Sequence, residues 1–304
     1  MAARLAIHGN HAPRNLAVPD PDPQPADQVI DWGPRMIDRD RLERIVREAG
    51  GLAMASFPGA GHAPEVWEKA PGNPVCSADL AVDAFLKREL RALLPAAGWL
   101  SEETADAPER LAGGLIWLVD PIDGTRDYIR GRPGWAVSVA LVSAGRPLLG
   151  LLCAPARAPE SGGEFWLGEA GKGSWRNGER LAASTRTELA GARVPTVHMP
   201  EEDADLVAVY QPNSIALRIA MVAAGEADLV ATVRWGFEWD IGAAALIARE
   251  AGAAVTDAFG HPLNYNKRDP RAFGVLASAP AIHDAAIERI AERARRLSGA
   301  LPEG

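Results

Sequence analysis

The chain has 304 residues, of which 47% are hydrophobic and 24% charged, which suits a globular protein with one large domain or two of ordinary size. A net charge of −8 speaks against a nucleic acid polymer as partner, and any anionic ligand would have to be drawn by local cations or metals rather than by the overall field. Two cysteines without metal-ligand spacing, no apolar leader and no apolar run of roughly 20 residues point to a protein of the cytoplasm with no membrane partner.

Residues 1–35 carry Pro13, Pro19, Pro21, Pro23, Pro25 and Pro34 without periodicity and read as a proline-rich extension. His8 and His11 lie in it, and their polar setting speaks against a zinc site. From Asp38 to Ser56 the residues Leu42, Ile45, Val46 and Ala49 mark one face of an amphipathic helix. Phe57 to Pro74, rich in glycine and proline, reads as loop, with Lys69 a solvated cation in it. A second helix follows, with Asp79 in its first turn, where a carboxylate favours the helix dipole. The short apolar run Trp99-Leu100-Ser101 then ends in the adjacent acids Glu102 and Glu103.

The stretch from Leu115 to Thr125 is the most informative in the chain. Leu115–Val119 reads as a buried strand, and it ends in two carboxylates, Asp120 and Asp123. Pro121 fixes φ between them, Gly124 permits a turn, and Thr125 is placed to cap a short helix over Arg126–Ile129. Hard oxygen ligands beside free helical N–H groups suit Mg²⁺ and phosphate together, the pattern of a metal-dependent phosphomonoesterase. An acidic turn after a buried strand is the plainer reading of the same residues.

Ala136–Val142 and Leu148–Cys153 read as antiparallel strands, continued by Glu164–Leu167 and Gly173–Arg176, with a turn at Asn177-Gly178. Beyond Leu181 short strands at 194–198, 227–233, 255–257 and 274–277 alternate with helices at 214–224, 241–251 and 281–297. The expectation is an α+β half over residues 36–184 and an α/β half over 185–304. Trp239-Asp240 opens the 241–251 helix, where Asp240 serves as a cap or faces the acidic site of the first half.

Glu102-Glu103, Asp120-Pro121-Ile122-Asp123-Gly124-Thr125 and Trp239-Asp240-Ile241-Gly242-Ala243-Ala244, in that order, resemble the inositol monophosphatase superfamily over about residues 38–297. The resemblance implies an α/β fold, a layered αβαβα sandwich with the site between its halves. It also implies a site that binds two or three Mg²⁺ ions. Glu102, Asp120 and the carbonyl of Ile122 would hold one ion, and Asp120, Asp123 and Asp240 a second. Asp79 and Glu103 would support a weaker third, and Gly124 and Thr125 would contact phosphate. Thr125, paired with Asp79, would deprotonate the attacking water. Lithium sensitivity and a homodimer are implied in the same way.

Four features resemble the 3'(2'),5'-bisphosphate nucleotidase branch, which acts on 3'-phosphoadenosine 5'-phosphate. They are Thr125-Arg126-Asp127-Tyr128, Glu238-Trp239-Asp240, the helix start Ser214 to Arg218, and Val233 where inositol phosphatases carry a glutamate. Ser214 and Arg218 are therefore expected at the substrate, with Arg126, Arg130, Arg132 and Arg234 as further cations for a second phosphate and Trp135, Trp235 or Trp239 for a base. Cys76 replaces a usual threonine, which implies weaker hydrogen bonding there. The competing readings are an inositol, sugar or histidinol phosphate as substrate, or a phosphate-binding protein on a retired enzyme fold.

Overall fold

The computed structural model describes residues 37–299. The proline-rich stretch 1–35, with His8 and His11, lies outside the described residues, apart from which the chain forms one compact unit. It opens with α1 (Arg39–Met54), the strands β1 (Val66–Ala70) and β2 (Asn73–Cys76), and α2 (Ser77–Leu93). There follow β3 (Gly98–Ser101), β4 (Leu115–Asp123), the short α3 (Thr125–Ile129), β5 (Ala136–Ser143), β6 (Arg146–Ala154), β7 (Glu164–Glu169), β8 (Gly173–Arg176) and β9 (Glu179–Arg180). The remainder is β10 (Arg193–Pro195), β11 (Val207–Val209), α4 (Ile215–Ala223), β12 (Leu229–Ala231), β13 (Trp235–Phe237), α5 (Glu238–Glu250), β14 (Ala254–Thr256), β15 (Arg271–Phe273), β16 (Leu276–Ser278) and α6 (His283–Ser298).

Seven strands, β3 to β9 in chain order, make the main sheet. Only the β3–β4 pair is parallel; the other neighbours are antiparallel, as meandering hairpins must be. The central strands read as continuous apolar runs because both faces are covered. Trp117 and Val119 of β4, with Val137, Val139 and Leu141 of β5, face the core under α1 and α2. Ile116 and Leu118, with Ala136, Ala140 and Val142, face the core under α4 and α5. A three-stranded sheet of β12, β16 and β14 backs α4 and α5, and α6 packs on its far side. The layers run helix, sheet, helix, sheet, helix, the αβαβα order expected.

Two glycines let α5 lie close on the main sheet. A Cβ on Gly150 would stand 2.5 Å from the carbonyl oxygen of Ala243, and one on Gly168 would stand 2.9 Å from Cα of Ile247. The Asn177-Gly178 turn joins β8 to β9 with both residues at positive φ, 49° and 84°, the two-residue hairpin geometry its sequence calls for.

Two local expectations are corrected. The segment read as loop contains the hairpin β1–β2, with Pro71 and Gly72 at its turn. All five residues of β1 are exposed, so no hydrophobic alternation marks the strand. Thr125 is the first residue of α3 rather than its cap; Gly124, at φ 95°, takes the capping position. Strands β11, β13 and β15 have only three residues each, too few to carry a periodic signal.

A candidate metal and phosphate site at the end of the central strand

The parallel pair β3–β4 brings two acids together, because Glu102 follows β3 and Asp120 lies within β4, where register places Ser101 beside Val119. The N–H of Glu102 donates to the Val119 carbonyl at 3.2 Å, which carries the pairing one residue past the strand. Asp240 arrives from the first turn of α5, where its Oδ2 accepts the N–H of Phe237 at 3.0 Å. One carboxylate oxygen from each of Glu102, Asp120 and Asp240 lies within 4.8 Å of the others. Asp120 is only 2% exposed and its Oδ1 accepts the N–H of Ile122 at 3.0 Å, across the bend imposed by Pro121.

Burial first, then the charges of Glu102, Asp123, Asp240 and Asp79, push the Asp120 carboxyl well above its ordinary range. Asp240 is raised in the same direction by burial and by Asp123 and Glu102. Acids that repel one another in a partly dry site are the donor set of a hard divalent cation, whose charge removes the repulsion. The residues present therefore fit Mg²⁺.

Asp123 is also buried, and its oxygens are directed at the start of α4. Oδ2 accepts the hydroxyl of Ser214 at 2.5 Å and the N–H of Ala216 at 2.7 Å. Burial pushes its carboxyl up to about 6, against the pull of these bonds. Ser214, wholly buried, caps α4 by accepting the N–H of Leu217 at 2.9 Å. Arg218, one turn on, donates to the carbonyls of Pro212 at 2.7 Å and Asn213 at 3.1 Å and so props the turn that leads to Ser214.

Asp79 stands in the first turn of α2 and Thr125 at the start of α3. The Thr125 hydroxyl lies 3.3 Å from Asp79 Oδ1 and 3.1 Å from the Ile122 carbonyl oxygen. The other oxygen of Asp79 accepts both the N–H and the thiol of Cys76, each at 2.8 Å. A thiol at this place thus still supplies the hydrogen bond that a threonine would. Burial, with Asp79 beside it, pushes that thiol up to about 12, so it remains a donor.

Glu103 forms an ion pair with Lys69 of β1, whose Nζ also lies 3.3 Å from Glu102 Oε1. Burial pushes Glu103 up to about 7 despite this cation. Lys69 is thus no solvated bystander. Sequence reasoning missed its role because the strand that aims it has no periodicity. Arg126 donates to the Gly72 carbonyl at 2.5 Å and holds the tip of the same hairpin.

Of the three tryptophans, Trp135 is fully buried against Phe57 and Tyr128. Trp239 stacks on Phe237 at 4.4 Å, and Trp235 meets Phe273 edge-on. Trp235, Phe237, Arg234 and Thr232 line a small cleft with Asp240. A second cavity, of about 220 Å³, shares Thr232 with that cleft and is lined by His198, Arg218, Val233, Arg289 and Arg293.

The model of the inositol monophosphatase family matches residues 40–297. The chain is 32% identical to a 3'(2'),5'-bisphosphate nucleotidase CysQ of Escherichia coli O157:H7, over 76% of this chain and 94% of that protein. It is 29% identical to a fructose-1,6-bisphosphatase/inositol-1-monophosphatase of Thermotoga maritima, over 86% and 99% of the two chains. The solved structure of an IMPase from Thermotoga maritima superposes with a TM-score of 0.70 at 28% identity, covering 85% of this chain and 98% of that one. The layered fold and the order of its acidic motifs have one source: the chain belongs to the inositol monophosphatase family and is a phosphatase that hydrolyses phosphoric monoesters of small molecules.

Proposed function

We propose that the protein is a Mg²⁺-dependent 3'(2'),5'-bisphosphate nucleotidase that removes the 3'-phosphate of 3'-phosphoadenosine 5'-phosphate. The observation that carries this reading is the cavity beside the acidic cleft. Val233, not an acid, lines it together with Arg218, Arg289 and Arg293, and Thr232 is common to it and the cleft that holds Asp240. An apolar side chain gives an inositol ring no hydroxyl partner, whereas guanidinium groups suit a second phosphate. Arg218 is the cation we assign there, because its guanidinium bonds two carbonyls and, among the described residues, no carboxylate. Arg289 and Arg293 are already paired with Asp203, Asp205 and Glu202. The likeness to the CysQ nucleotidase supports the same substrate.

In this reading Glu102, Asp120, Asp123, Asp240 and the carbonyl of Ile122 hold the metal, with Glu103 at its margin. Bound Mg²⁺ supplies the positive charge that activates water and stabilises the leaving oxygen of an in-line displacement. The N–H groups of Gly124 and Thr125 orient the phosphate. Thr125 Oγ1 takes the proton of the attacking water while its own proton passes to Asp79, whose other oxygen is held by Cys76. Ser214 keeps Asp123 in place.

A second reading, an inositol monophosphatase, is favoured by the fold likeness to the Thermotoga maritima IMPase. Phosphate release with Mg²⁺ from 3'-phosphoadenosine 5'-phosphate and from inositol 1-phosphate, measured side by side, decides between them. We expect kcat/KM to favour the nucleotide by about a hundredfold or more, since only the doubly phosphorylated ester offers a second phosphate to the guanidinium. Equal or reversed preference would overturn the nucleotidase reading.

A further inference from the structure

Glu238 is 0% exposed, yet it takes no part in the acidic cluster. Its two oxygens accept consecutive backbone N–H groups, that of Asn266 at 2.6 Å and that of Lys267 at 3.1 Å, and Lys267 Nζ lies 3.5 Å away. Its own N–H donates to the Pro270 carbonyl at 3.0 Å. The 266–267 turn is gripped from its other side by Arg110, itself only 4% exposed. Arg110 Nη1 donates to Asn266 Oδ1 at 2.6 Å and Nη2 to the Lys267 carbonyl at 2.8 Å. Asp106 holds that guanidinium through Nε at 2.6 Å and Nη2 at 2.9 Å.

The placement of these groups gives them a purpose. Asp106 and Arg110 lie in the connection between β3, which ends beside Glu102, and β4, which carries Asp120. Glu238 opens α5, whose first turn carries Asp240. One chain of hydrogen bonds, from exposed Asp106 to buried Arg110 to the half-buried 266–267 turn to buried Glu238, therefore ties the segment between two of the clustered acids to the helix that carries the third. A buried carboxylate and a buried guanidinium contribute little net stability over apolar residues of the same size, so stability alone does not account for them.

We propose that Glu238 and Arg110 are positioning residues that set the spacing of Asp240 against Glu102 and Asp120. The proposal rests on the reading that those three acids hold the divalent cation. Groups that orient metal ligands typically change metal affinity by about 10–100-fold when removed.

The test is Mg²⁺ binding by titration calorimetry to the full chain, for the wild type and for Glu238→Gln, Asn266→Gly and Asp240→Asn. Glu238→Gln turns an amide N–H₂ towards one of the two backbone donors. Asn266→Gly deletes the side-chain bonds to Arg110 and leaves that of Arg110 to the Lys267 carbonyl, and the φ of 59° at this position suits glycine. We expect Glu238→Gln to weaken Mg²⁺ binding about tenfold or more, and Asn266→Gly to weaken it by a smaller factor. The Mg²⁺ concentration for half-maximal activity should rise in parallel, with substrate KM at saturating Mg²⁺ unchanged. A general loss of structure would instead raise KM and lower the melting temperature of Asn266→Gly by more than about 3 °C.

If Asp240→Asn loses Mg²⁺ while both other variants bind it within about twofold of the wild type, the positioning role is wrong. If Asp240→Asn binds Mg²⁺ like the wild type, the metal reading fails and the proposal with it. Should Glu238→Gln not fold, Asn266→Gly decides alone.

Discussion

Asp120, near the end of the central strand, and Asp240, in the first turn of α5, present carboxylate oxygens within 4.8 Å of one another and of Glu102. The contact joins the main sheet to a helix from the far part of the chain. It concentrates negative charge where burial already disfavours it. Without a cation this arrangement weakens the fold. With one it would make the site for phosphate chemistry that we propose.

Removing one of these charges should therefore act in opposite senses on stability and on activity. Asp120→Asn keeps an oxygen for the N–H of Ile122. The metal-free variant should melt at a higher temperature than the metal-free wild type, because a repelled buried charge is gone. Phosphate release should fall by about a thousandfold or more, as expected when a metal ligand of a displacement site is lost. Scanning calorimetry in EDTA and a steady-state assay in Mg²⁺ check the two arms.

The pH dependence follows from the same acids. Asp120 and Asp240 are raised by burial and mutual charge, Asp123 to about 6 and Glu103 to about 7. A carboxyl raised in the folded state binds more protons folded than unfolded, so its contribution to stability is full below the unfolded pKa and is lost as pH rises through the folded one. The metal-free protein should lose melting temperature between about pH 4 and pH 7. Added Mg²⁺ should raise it more at pH 8 than at pH 5, and an Mg²⁺ shift equal at both would refute the argument.

The side chain of Thr125 should matter through its hydroxyl alone. Thr125→Ala removes the oxygen that lies between Asp79 and the Ile122 carbonyl. Its kcat should fall by roughly 10²–10⁴, the usual contribution of a positioned proton acceptor, with KM little changed. Thr125→Ser should retain most of the rate. Stopped-time phosphate assays on the three proteins suffice.

Two glycines should resist the smallest substitution for different reasons. Gly150→Ala would drive a methyl to 2.5 Å from the Ala243 carbonyl oxygen and separate α5 from the sheet, at a cost of about 1–3 kcal/mol in urea unfolding. Gly124→Ala meets both a φ of 95° and the Gly134 oxygen at 2.7 Å, right beside Thr125. It should lose activity at a denaturant midpoint still well above zero, because the strain falls on the turn that aims Thr125 and Asp123.

Most of the scaffold was legible because its signals are local. The apolar runs of β4, β5 and β6, the amphipathic faces of α1 and α2 and the Asn177-Gly178 turn depend on residues close in sequence. The hairpin β1–β2 was not legible, since a strand exposed on both faces leaves no alternation to read. With it went the aim of Lys69, whose partners Glu102 and Glu103 lie beyond α2 and β3.

By itself the sequence determined which chemical groups this protein has: the acids after an apolar strand, the turn of Pro121 and Gly124, and the Trp239-Asp240 start of a helix. Those follow from residue type and short-range spacing, which chain geometry makes readable. Only the tertiary structure decided how the groups meet. It set the approach of Asp240 to Asp120, the turning of Asp123 towards Ser214, the commitment of Arg218 to two carbonyls and the burial of Glu238. The places of Asp240 and Glu238 follow from packing α5 onto the sheet across Gly150 and Gly168, those of Ser214 and Arg218 from seating α4 beside α5, and close packing between remote segments leaves no periodic trace in any of them.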